Sequence, residues 1–537
     1  MQDIRRRFFL LLLLSIGSLS LAQAVSTRFR CMWRDDPATS MVIGWDQISG
    51  SNPVLYFDVT DHGQRADLYK NSRRPDLVMA ARGMNNHFVR LSGLQPNTVY
   101  YFVIRDSDGL SRRMSFKTAP NQPTERLSII AGGDSRNNRE ARRSANQLVA
   151  KLRPHFVLFN GDMTGDDSAG EWRKWLDDWQ STIGSDGRLF PIIVARGNHE
   201  ASNRSLLEIF DVSNPGLVYE LSFGGNLLRV YSLNSMIPAG GEQRDWLEND
   251  LQKSRHFLWR FAQYHHAMRP HTSAKPEKDE LVLHWAPLFY KYKVQLVSES
   301  DSHVVKWTYP IRPSGEPGSS EGFIRDDLNG TVYIGEGCWG APLRQNNDDK
   351  PWTRASGSFN QFSWIFVDED KVEVRVVLTD VSENVGEVND KNPFEPPIGL
   401  SLWNPPTGDV VTLYQKPPVI AAAEPPASQR QPDKTPTSAA KSTPTPPAND
   451  PADWSSQPRI HCDAAGKVTV RYTLAKASEV TVLLLDEAFV VLDRVNLNMQ
   501  AARTHLKELD FATLKSGNYF LVVRGADGVV AKYQLTR

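Results

Sequence analysis

The chain has 537 residues, which at roughly 150 residues per domain indicates several domains and excludes one small disulfide-stapled module. Hydrophobic residues make up 40% and charged residues 23%, so a packed core is feasible. Lys+Arg and Asp+Glu number 62 each, and a net charge of zero argues against binding a nucleic-acid scaffold through bulk positive charge. The three cysteines, Cys31, Cys338 and Cys462, form no CxxC pair, which argues against a thiolate zinc site and leaves one disulfide possible.

The first 24 residues have the pattern of a secretory signal peptide. Three arginines at 5–7 precede an uncharged apolar run at 8–22, and Ala22-Gln23-Ala24 follows as a small-x-small cleavage site. The apolar run is shorter than the roughly 20 residues that span a bilayer, although an uncleaved anchor stays the alternative. We therefore expect a secreted or cell-surface protein with no integral membrane segment after the signal is removed.

Residues 25–120 read as a β-sandwich. Short apolar runs occur at 41–45 and 54–57, and apolar or β-prone residues alternate over 94–104 with the period of a strand. Regular short strands separated by turn signals are typical of a sandwich.

Residues 125–400 alternate between strand and helix patterns, which indicates a layered α/β domain. Strands are predicted at 127–131, 155–160, 191–195, 258–264 and 293–297. Helices are predicted at 139–152, 171–183, 243–251 and 279–292. Within the second helix, Trp172, Trp175, Leu176 and Trp179 recur at i, i+3, i+4 and i+7, which predicts its buried face.

Residues 415–452 are rich in proline and read as a semi-extended linker, because the segment holds too little apolar surface to fold. Residues 458–537 return to strand patterns at 468–472, 480–485 and 519–523, which predicts a separate β-sandwich.

Polar clusters follow the predicted strands of the α/β domain. They are Gly133-Asp134-Ser135-Arg136, Gly161-Asp162, Gly197-Asn198-His199-Glu200, His265-His266 and Ser300-Asp301-Ser302-His303. In open α/β sheets, ligands bind beyond the carboxyl ends of the strands. Carboxylates, imidazoles and an amide oxygen that converge there predict a metal site.

This series of GD, GD, GNHE, HH and a later histidine resembles the calcineurin-like metallophosphoesterases, in particular their purple-acid-phosphatase-like branch. Members of that branch carry a fibronectin type III-like domain first, and residues 94–101 resemble the fibronectin signature, with Tyr100 in the place of its tyrosine corner. The resemblance implies a multidomain α/β plus β protein. Its centre would be a two-sheet α/β/β/α sandwich, flanked by N- and C-terminal β-sandwiches.

The resemblance also implies two metal ions, of Fe, Zn or Mn, and a hydroxide between them as the nucleophile. The implied metal ligands are Asp134, Asp162, Asn198, His265, Asp301 and His303. Asp134 and His303 would hold the first ion, Asp162 would bridge both, and Asn198 and His265 would hold the second.

Four further residues are assigned roles in substrate binding or catalysis, and only that of His199 follows from the family motif. His199 is in the place that contacts the phosphoryl oxygens and protonates the leaving group, and is the predicted catalytic residue. Arg136 would be a guanidinium fork for the phosphate. His266 and His271 are predicted substrate contacts.

Several positions depart from the family pattern. Gly165 stands where the purple branch has a tyrosine, so purple colour is not expected, and Arg136 replaces the histidine of a D-x-H motif. Asp301 stands where a second-metal histidine is usual, which shifts preference toward Mn, Mg or Fe. Lys306-Trp307 replaces a common E-R pair. The second metal position is therefore expected to be weaker, altered or lost.

The C-terminal segment resembles the sorting domains of the type IX secretion system, through 470–474, 516–520 and a short basic end. This implies the type IX machinery as a partner, with an ordinary β-module as the alternative. The favoured function is a secreted dinuclear phosphoesterase acting on a small phosphorylated substrate. A phosphomonoesterase is favoured over a phosphodiesterase or nucleotidase. The alternative from another class is a surface binding protein whose metallophosphoesterase domain is altered or inactive.

Overall fold

The computed structural model describes residues 26–389 and 391–415, and seven strands between residues 454 and 536. The chain divides into two units, residues 1–415 and 416–537, and each is described by itself. The predicted signal peptide, and the predicted linker from residue 416 onward, lie outside the described residues.

The N-terminal part of the first unit is a sandwich of two four-stranded antiparallel sheets, in the orders β1-β2-β6-β5 and β4-β3-β7-β8. The strands are β1 (Ser26–Met32), β2 (Ser40–Gln47), β3 (Val54–Asp58), β4 (Asn71–Arg73), β5 (Leu77–Ala81), β6 (Met84–Ser92), β7 (Val99–Arg105) and β8 (Met114–Lys117). The strands predicted at 41–45 and 54–57 are confirmed. The one predicted over 94–104 begins only at Val99, because Leu94 to Thr98 form a turn in which the Tyr100 hydroxyl accepts a 2.8 Å hydrogen bond from the Gln95 N–H.

The central part of the first unit holds fifteen strands and six α-helices among its described residues. The strands are β9 (Leu127–Gly132), β10 (Phe156–Phe159), β11 (Ile192–Val194), β12 (Tyr219–Phe223), β13 (Leu228–Ser232), β14 (Trp259–His266), β15 (Leu296–Ser300), β16 (Val305–Thr308), β17 (Ile311–Pro313), β18 (Phe323–Arg325), β19 (Val332–Gly335), β20 (Thr353–Gly357), β21 (Gln361–Val367), β22 (Lys371–Leu378) and β23 (Val411–Tyr414). The helices are α1 (Arg139–Leu152), α2 (Ala169–Trp179), α3 (Asn203–Phe210), α4 (Glu242–Lys253), α5 (Asp279–His284) and α6 (Ala286–Lys291).

Two mixed sheets form the middle layers of this domain. The first has the order β11-β10-β9-β21-β22-β23, and the second has the order β12-β13-β14-β15-β19-β16-β20. Strands β9, β10 and β11 are parallel, and so are β13, β14, β15 and β19. The parallel strands bring their carboxyl ends to one edge of each sheet, and the functional residues of this domain follow those ends.

Side chains that alternate along the second sheet show the α/β/β/α layering. Phe261 and Leu296 belong to the core shared with the first sheet, whereas Ala262 and Val297 on the opposite face pack with the helices α4, α5 and α6. On the outer face of the first sheet, Phe159 meets the rings of α2 edge-on. The predicted fold class is thus observed.

Most predicted helices are found, with differences that have local causes. The prediction for α1 is confirmed at both ends, and α2 gives way after Trp179 to a 3-10 turn, Gln180–Thr182. The single helix predicted over 279–292 is two short helices, because the chain turns at Trp285 and Pro287 stands in the first turn of α6, where its missing N–H is tolerated.

The N-terminal sandwich is bound to the central domain by arginines. Arg82, in the turn between β5 and β6, donates a 2.8 Å hydrogen bond to the carbonyl oxygen of Asp167 and lies 3.2 Å from its carboxylate. Arg34 and Arg90 both pair with the buried carboxylate of Asp211. The first of these contacts reaches the loop that follows β10, which carries functional residues.

The second unit is a two-sheet β-structure, and its strands at 468–472, 480–485 and 519–523 are confirmed. The strands are β24 (Trp454–Cys462), β25 (Lys467–Leu474), β26 (Ser478–Leu485), β27 (Val491–Gln500), β28 (Thr504–Asp510), β29 (Asn518–Gly525) and β30 (Gly528–Thr536). The sheet orders are β24-β25-β28 and β27-β26-β29-β30, and Val470, Val482 and Leu521 are among the buried residues between them.

Two further findings bear on the sequence predictions. Within the described ranges, no helix is both long enough and apolar enough to cross a membrane. Cys31 and Cys338 are buried free thiols, so these two cysteines are not paired with each other.

Candidate metal centre

The predicted site residues lie where parallel strands of both sheets end. Asp134 follows β9, Asp162 follows β10, and Asn198 lies in the loop after β11. His265 is the penultimate residue of β14, and His303 comes three residues after β15. Residues far apart in the chain therefore reach one place because the strand ends share it.

The structure brings these side chains together. Ligand atoms of the buried residues Asp134, Asp162 and His265 all lie within 4.8 Å of one another. The Nε2 atom of His303 lies 3.2 Å from Asp134 Oδ1, and Asn198 Oδ1 lies 3.0 Å from His265 Nε2. The donor set of two carboxylates, two imidazoles and one amide oxygen fits a hard-to-borderline divalent cation.

Backbone carbonyl groups orient both imidazoles toward the cluster. His265 Nδ1 lies 2.9 Å from the carbonyl oxygen of Asn160, and His303 Nδ1 lies 2.7 Å from that of Pro342. Each Nδ1 therefore carries a proton and donates it to a carbonyl oxygen, so Nε2 is the ring atom that faces the carboxylates and would bind a metal ion once deprotonated. Metal-binding histidines are held by the same arrangement.

The backbone at the cluster is left-handed at four predicted ligands. The φ angles are 57° at Asp134, 54° at Asp162, 72° at Asp301 and 55° at His303. Such conformations cost non-glycine residues about 1–3 kcal/mol each and persist where surrounding contacts hold them. Backbone strain at these four residues is a mark of a functional site.

Two glycines leave room for the carboxylates. A Cβ atom on Gly197 would collide with the side chain of Asp162, and one on Gly337, where φ is 97°, would collide with that of Asp134. Gly197 belongs to the GNHE motif, but Gly337 was missed by the sequence analysis. It follows β19, whose end reaches the same edge.

Glu200 fixes the loops that carry the cluster. Its buried carboxylate accepts hydrogen bonds from the N–H groups of Asp162, Met163 and Gly197, at 3.0, 2.8 and 2.7 Å. Burial raises the pKa of Glu200, and the bond from Met163 opposes that shift. The sequence alone assigns Glu200 no role beyond its place in the GNHE motif. Its role is to position the loop of Asp162 against that of His199.

The electrostatics of the cluster favour a positive charge. Burial raises the pKa of Asp162 to about 8, against the opposing effect of His265. For Asp134, burial acts upward, but the neighbouring imidazoles of His265 and His303 hold the pKa below its usual value. Burial would lower the pKa of His265, yet Asp162 and Asp134 raise it to about 10. The cluster thus stabilises a cation at the point where these three groups meet.

Asp301 joins the cluster at its edge and is paired with a residue that the sequence analysis missed. Asp301 Oδ1 lies 3.6 Å from His265 Nε2, and the same oxygen forms an ion pair with Lys275 Nζ. The Asp301 N–H donates a 2.9 Å hydrogen bond to Asp134 Oδ2. Burial would raise the pKa of Asp301, but His265 and Lys275 lower it well below its usual range.

His199 lies beside the cluster, half-buried. Its Nδ1 lies 2.6 Å from the carbonyl oxygen of Gly165, and its Nε2 lies 3.7 Å from Asp162 Oδ2. Burial lowers the pKa of His199, and the nearby guanidinium of Arg136 lowers it further. Arg136 is itself half-buried, and its Nε is a buried donor without a hydrogen-bond partner in the described structure. A contact of either side chain with a phosphoryl oxygen stays a prediction.

The two remaining predicted substrate contacts have internal partners. His266 Nδ1 lies 3.3 Å from the carbonyl oxygen of Ser235, and burial, with His265, lowers its pKa to about 3. His271 is buried, with Nε2 2.7 Å from Thr353 Oγ1 and Nδ1 3.3 Å from Glu336 Oε1. Both ring nitrogens of His271 therefore face protein groups, and a substrate contact for either residue stays a prediction.

Glu336 belongs to a buried ion network behind the cluster. Lys306 Nζ lies 2.6 Å from Glu299 Oε2 and 2.5 Å from Glu336 Oε1. Tyr264 donates a 2.7 Å hydrogen bond to Glu299 Oε1. The lysine that departs from the E-R pattern is thus the counter-ion of two buried glutamates.

Comparisons with known proteins agree with this geometry. Residues 27–118 match the family model of the purple acid phosphatase N-terminal domain, and residues 132–305 match that of calcineurin-like phosphoesterases. An uncharacterized protein of Mycobacterium tuberculosis (strain ATCC 25618 / H37Rv) is 22% identical over 349 residues, which cover 55% of this chain and 66% of that protein. The probable purple acid phosphatase 20 of Arabidopsis thaliana is 25% identical over 289 residues, which cover 49% of this chain and 65% of that protein. The chain thus spans just under two thirds of the length of these relatives.

Solved structures show the same fold. Purple acid phosphatase PPD1 from seeds of yellow lupin (Lupinus luteus) superposes with a TM-score of 0.56 at 15% identity, over 74% of this chain and 78% of that one. PhoD superposes with a TM-score of 0.51 at 14% identity, over 70% of this chain and 88% of that one. Residues 27–118 are thus similar to the N-terminal domain of purple acid phosphatases, and residues 132–305 are similar to calcineurin-like phosphoesterases. That family implies divalent metal ions, and the buried Asp/Asp/His cluster is where this chain offers ligands for them.

Proposed function

We propose that the protein is a metal-dependent phosphoester hydrolase that acts on small phosphate monoesters. The observation that supports this most is the buried cluster of Asp134, Asp162 and His265, whose ligand atoms lie within 4.8 Å of one another. Two carboxylates buried next to each other are costly unless positive charge offsets them, and a bound cation would supply that charge beyond what the His265 ring provides.

The proposed centre has two cation positions. Asp134 and His303 would hold the first, Asn198 and His265 would hold the second, and Asp162 would be shared. Asp301 would complete the second position. When bound, two divalent cations lower the pKa of a water between them and offset the charge of the phosphoryl oxygens.

His199 is the proposed catalytic side chain. The carbonyl oxygen of Gly165 holds its ring through Nδ1, and Nε2 lies 3.7 Å from Asp162 Oδ2. Because Nδ1–H donates to Gly165 and the pKa of His199 is lowered, Nε2 carries a proton only in the imidazolium form, which would supply it to the leaving oxygen of a bound ester as the pH falls. Arg136 would donate to the phosphoryl oxygens, since a guanidinium matches their geometry and its charge lies near enough to His199 to lower the pKa of that ring.

The proposal also covers location. The pattern of residues 1–24 supports export, and the separate two-sheet C-terminal unit supports delivery by a type IX secretion machinery to the cell surface or medium. The intact mass of exported protein tests the first part: a chain that retains residues 1–24 would contradict cleavage.

Hydrolysis of p-nitrophenyl phosphate by the metal-loaded protein tests the activity. We expect turnover that is lost on chelation, returns with Mn²⁺, Zn²⁺ or Fe²⁺, and exceeds that of bis(p-nitrophenyl) phosphate. A folded, metal-loaded protein that hydrolyses neither compound would contradict the proposal and favour a surface binding protein instead. Faster turnover of the diester would reassign the substrate class and keep the hydrolase.

A substitution at His199 separates catalysis from metal binding. His199→Gln should lower kcat by about 10²- to 10⁴-fold, the usual range for losing a general acid or base. Metal content should stay unchanged, because the ring's own hydrogen bond is to the carbonyl oxygen of Gly165. The matched control is His256→Gln, which alters an exposed histidine and should leave kcat as it is. Unchanged kcat in His199→Gln would remove the catalytic role.

A further inference from the structure

The two proposed cation positions differ in their fixed charges. Lys275 Nζ forms an ion pair with Asp301 Oδ1, and this oxygen is the one that lies 3.6 Å from His265 Nε2. A cation held jointly by His265 and Asp301 would therefore share its carboxylate oxygen with an ammonium group. By contrast, within the described part of the chain the ion-pair partners of Asp134 and Asp162 are histidines, and no lysine or arginine pairs with either carboxylate.

The pairing of Lys275 with Asp301 is built into the fold. Asp301 is held by its own N–H, which donates to Asp134 Oδ2 at 2.9 Å, and by its carbonyl oxygen, which accepts from Arg344 Nη1 at 2.7 Å. Its side chain is 5% exposed, whereas that of Lys275 is 20% exposed. The backbone of Asp301 is thus held on both sides, and Lys275 is the more exposed member of the pair.

We propose that Lys275 is a resident cation of the site that competes with the second metal ion for Asp301. The two positions then fill in order. The ion at Asp134, Asp162 and His303 binds tightly. The ion at Asn198 and His265 binds weakly, because it must displace the Lys275 ammonium from Asp301 Oδ1. This inference rests on the metal centre of the proposed function and adds the residue that sets the affinity of its second position.

Removing the charge of Lys275 should make the metal affinities of the two cation positions more similar. A divalent metal ion and the Lys275 ammonium group would lie about 4 Å apart, and at that distance the two positive charges repel strongly even at a high effective dielectric constant. We therefore expect Lys275→Met to strengthen binding of the second ion by about tenfold or more. The first ion should be affected little.

Titration of metal-free protein with Mn²⁺ measures this directly, with free Mn²⁺ followed by electron paramagnetic resonance and bound metal checked by elemental analysis. The wild type should bind two Mn²⁺ ions with clearly different affinities. In Lys275→Met the affinity for the second ion should approach the affinity for the first. Lys275→Arg keeps the charge and should behave as the wild type. Lys278→Met removes a charge from the same loop without an ion pair to Asp301 and should also behave as the wild type.

Several outcomes would overturn the inference. They are two equal steps in the wild type, no gain in second-ion affinity in a folded Lys275→Met, or an equal gain in Lys278→Met. If Lys275→Met does not fold, Lys275→Gln takes its place, and two equal steps in the wild type overturn the inference without any variant. A wild-type protein that binds both ions with equal affinity and hydrolyses phosphate esters would contradict this inference but not the proposed function. Stepwise binding of the two metal ions without hydrolysis of any phosphate ester would contradict the proposed function but not this inference.

Discussion

Asp162→Asn is expected to lower phosphate-ester turnover on the order of a thousandfold or more, because a shared carboxylate supports both cation positions and such stabilisation is worth several kcal/mol. The Asp162 side chain lies 3.4 Å from His265 Nε2 and accepts the N–H of His199 at 2.8 Å. The asparagine keeps the shape and an acceptor oxygen but loses the charge. Steady-state kinetics and metal content, both measured on the same sample, test the expected loss of turnover and of bound metal.

The matched control is Asp166→Asn in the same loop. Asp166 accepts a 3.0 Å hydrogen bond from the Ser168 N–H and contacts none of the proposed ligands through that carboxylate oxygen. An asparagine can still accept that bond, so turnover and metal content should both stay near those of the wild type. Equal effects of the two substitutions would show that the loop's charge, and not the position of Asp162, governs activity.

Lys306→Met is expected to lower the free energy of unfolding by about 3–5 kcal/mol, the range for removing one partner of a buried ion pair. Lys306 is 1% exposed and lies between Glu299 and Glu336, both fully buried. Without the ammonium, two buried carboxylates remain close together with too little positive charge. Urea unfolding at pH 7 measures the difference.

The pH dependence of that difference has a definite sign. In the wild type, burial would raise the pKa of Glu336, but Lys306 and His271 lower it to about 2. Its contribution is therefore present above the usual glutamate pKa of 4.5 and is lost as the pH falls toward 2. In Lys306→Met a glutamate can take a proton at mild pH, so the variant should approach the wild type as the solution becomes acidic.

Two comparisons sharpen this prediction. Lys350→Met removes a lysine whose partners Glu277 and Asp348 are about one third exposed, and should cost about 1 kcal/mol or less. Lys306→Met combined with Glu299→Gln should recover part of the loss, since one unpaired charge is gone. A loss from Lys306→Met no larger than that from Lys350→Met would contradict the account of the network.

Local patterns in the sequence predicted much of the fold. The period of apolar residues located α1 to the residue, and the apolar run at 127–131 located β9. The helix predicted over 279–292 was wrong in its middle, because apolar periodicity continues through Trp285 although the chain turns there. Helix α3 has no prediction to compare with, since no motif drew attention to residues 203–210.

The candidate cluster could be predicted because its residues directly follow predicted strands and belong to recognisable short motifs. Asp134, Asp162 and His265 were each named from the sequence, and the structure brings them together. Lys275 could not be found in this way, because its partner Asp301 is 26 residues away and only the fold joins them. Gly337 could not be predicted for the same reason. A side chain at this position would collide with Asp134, which is distant in the sequence.

The central claim is that the Asp134–Asp162–His265 cluster, with His303 and Asn198, binds metal ions. Anomalous diffraction from crystals of the protein grown with Mn²⁺ tests this most directly. We expect a peak at metal–ligand distance, about 2.0–2.2 Å, from carboxylate oxygens of Asp134 and Asp162 and from His303 Nε2. A second, weaker peak should lie next to His265 Nε2. Well-ordered crystals with these side chains in place and no anomalous peak among them, at saturating Mn²⁺, would contradict the account.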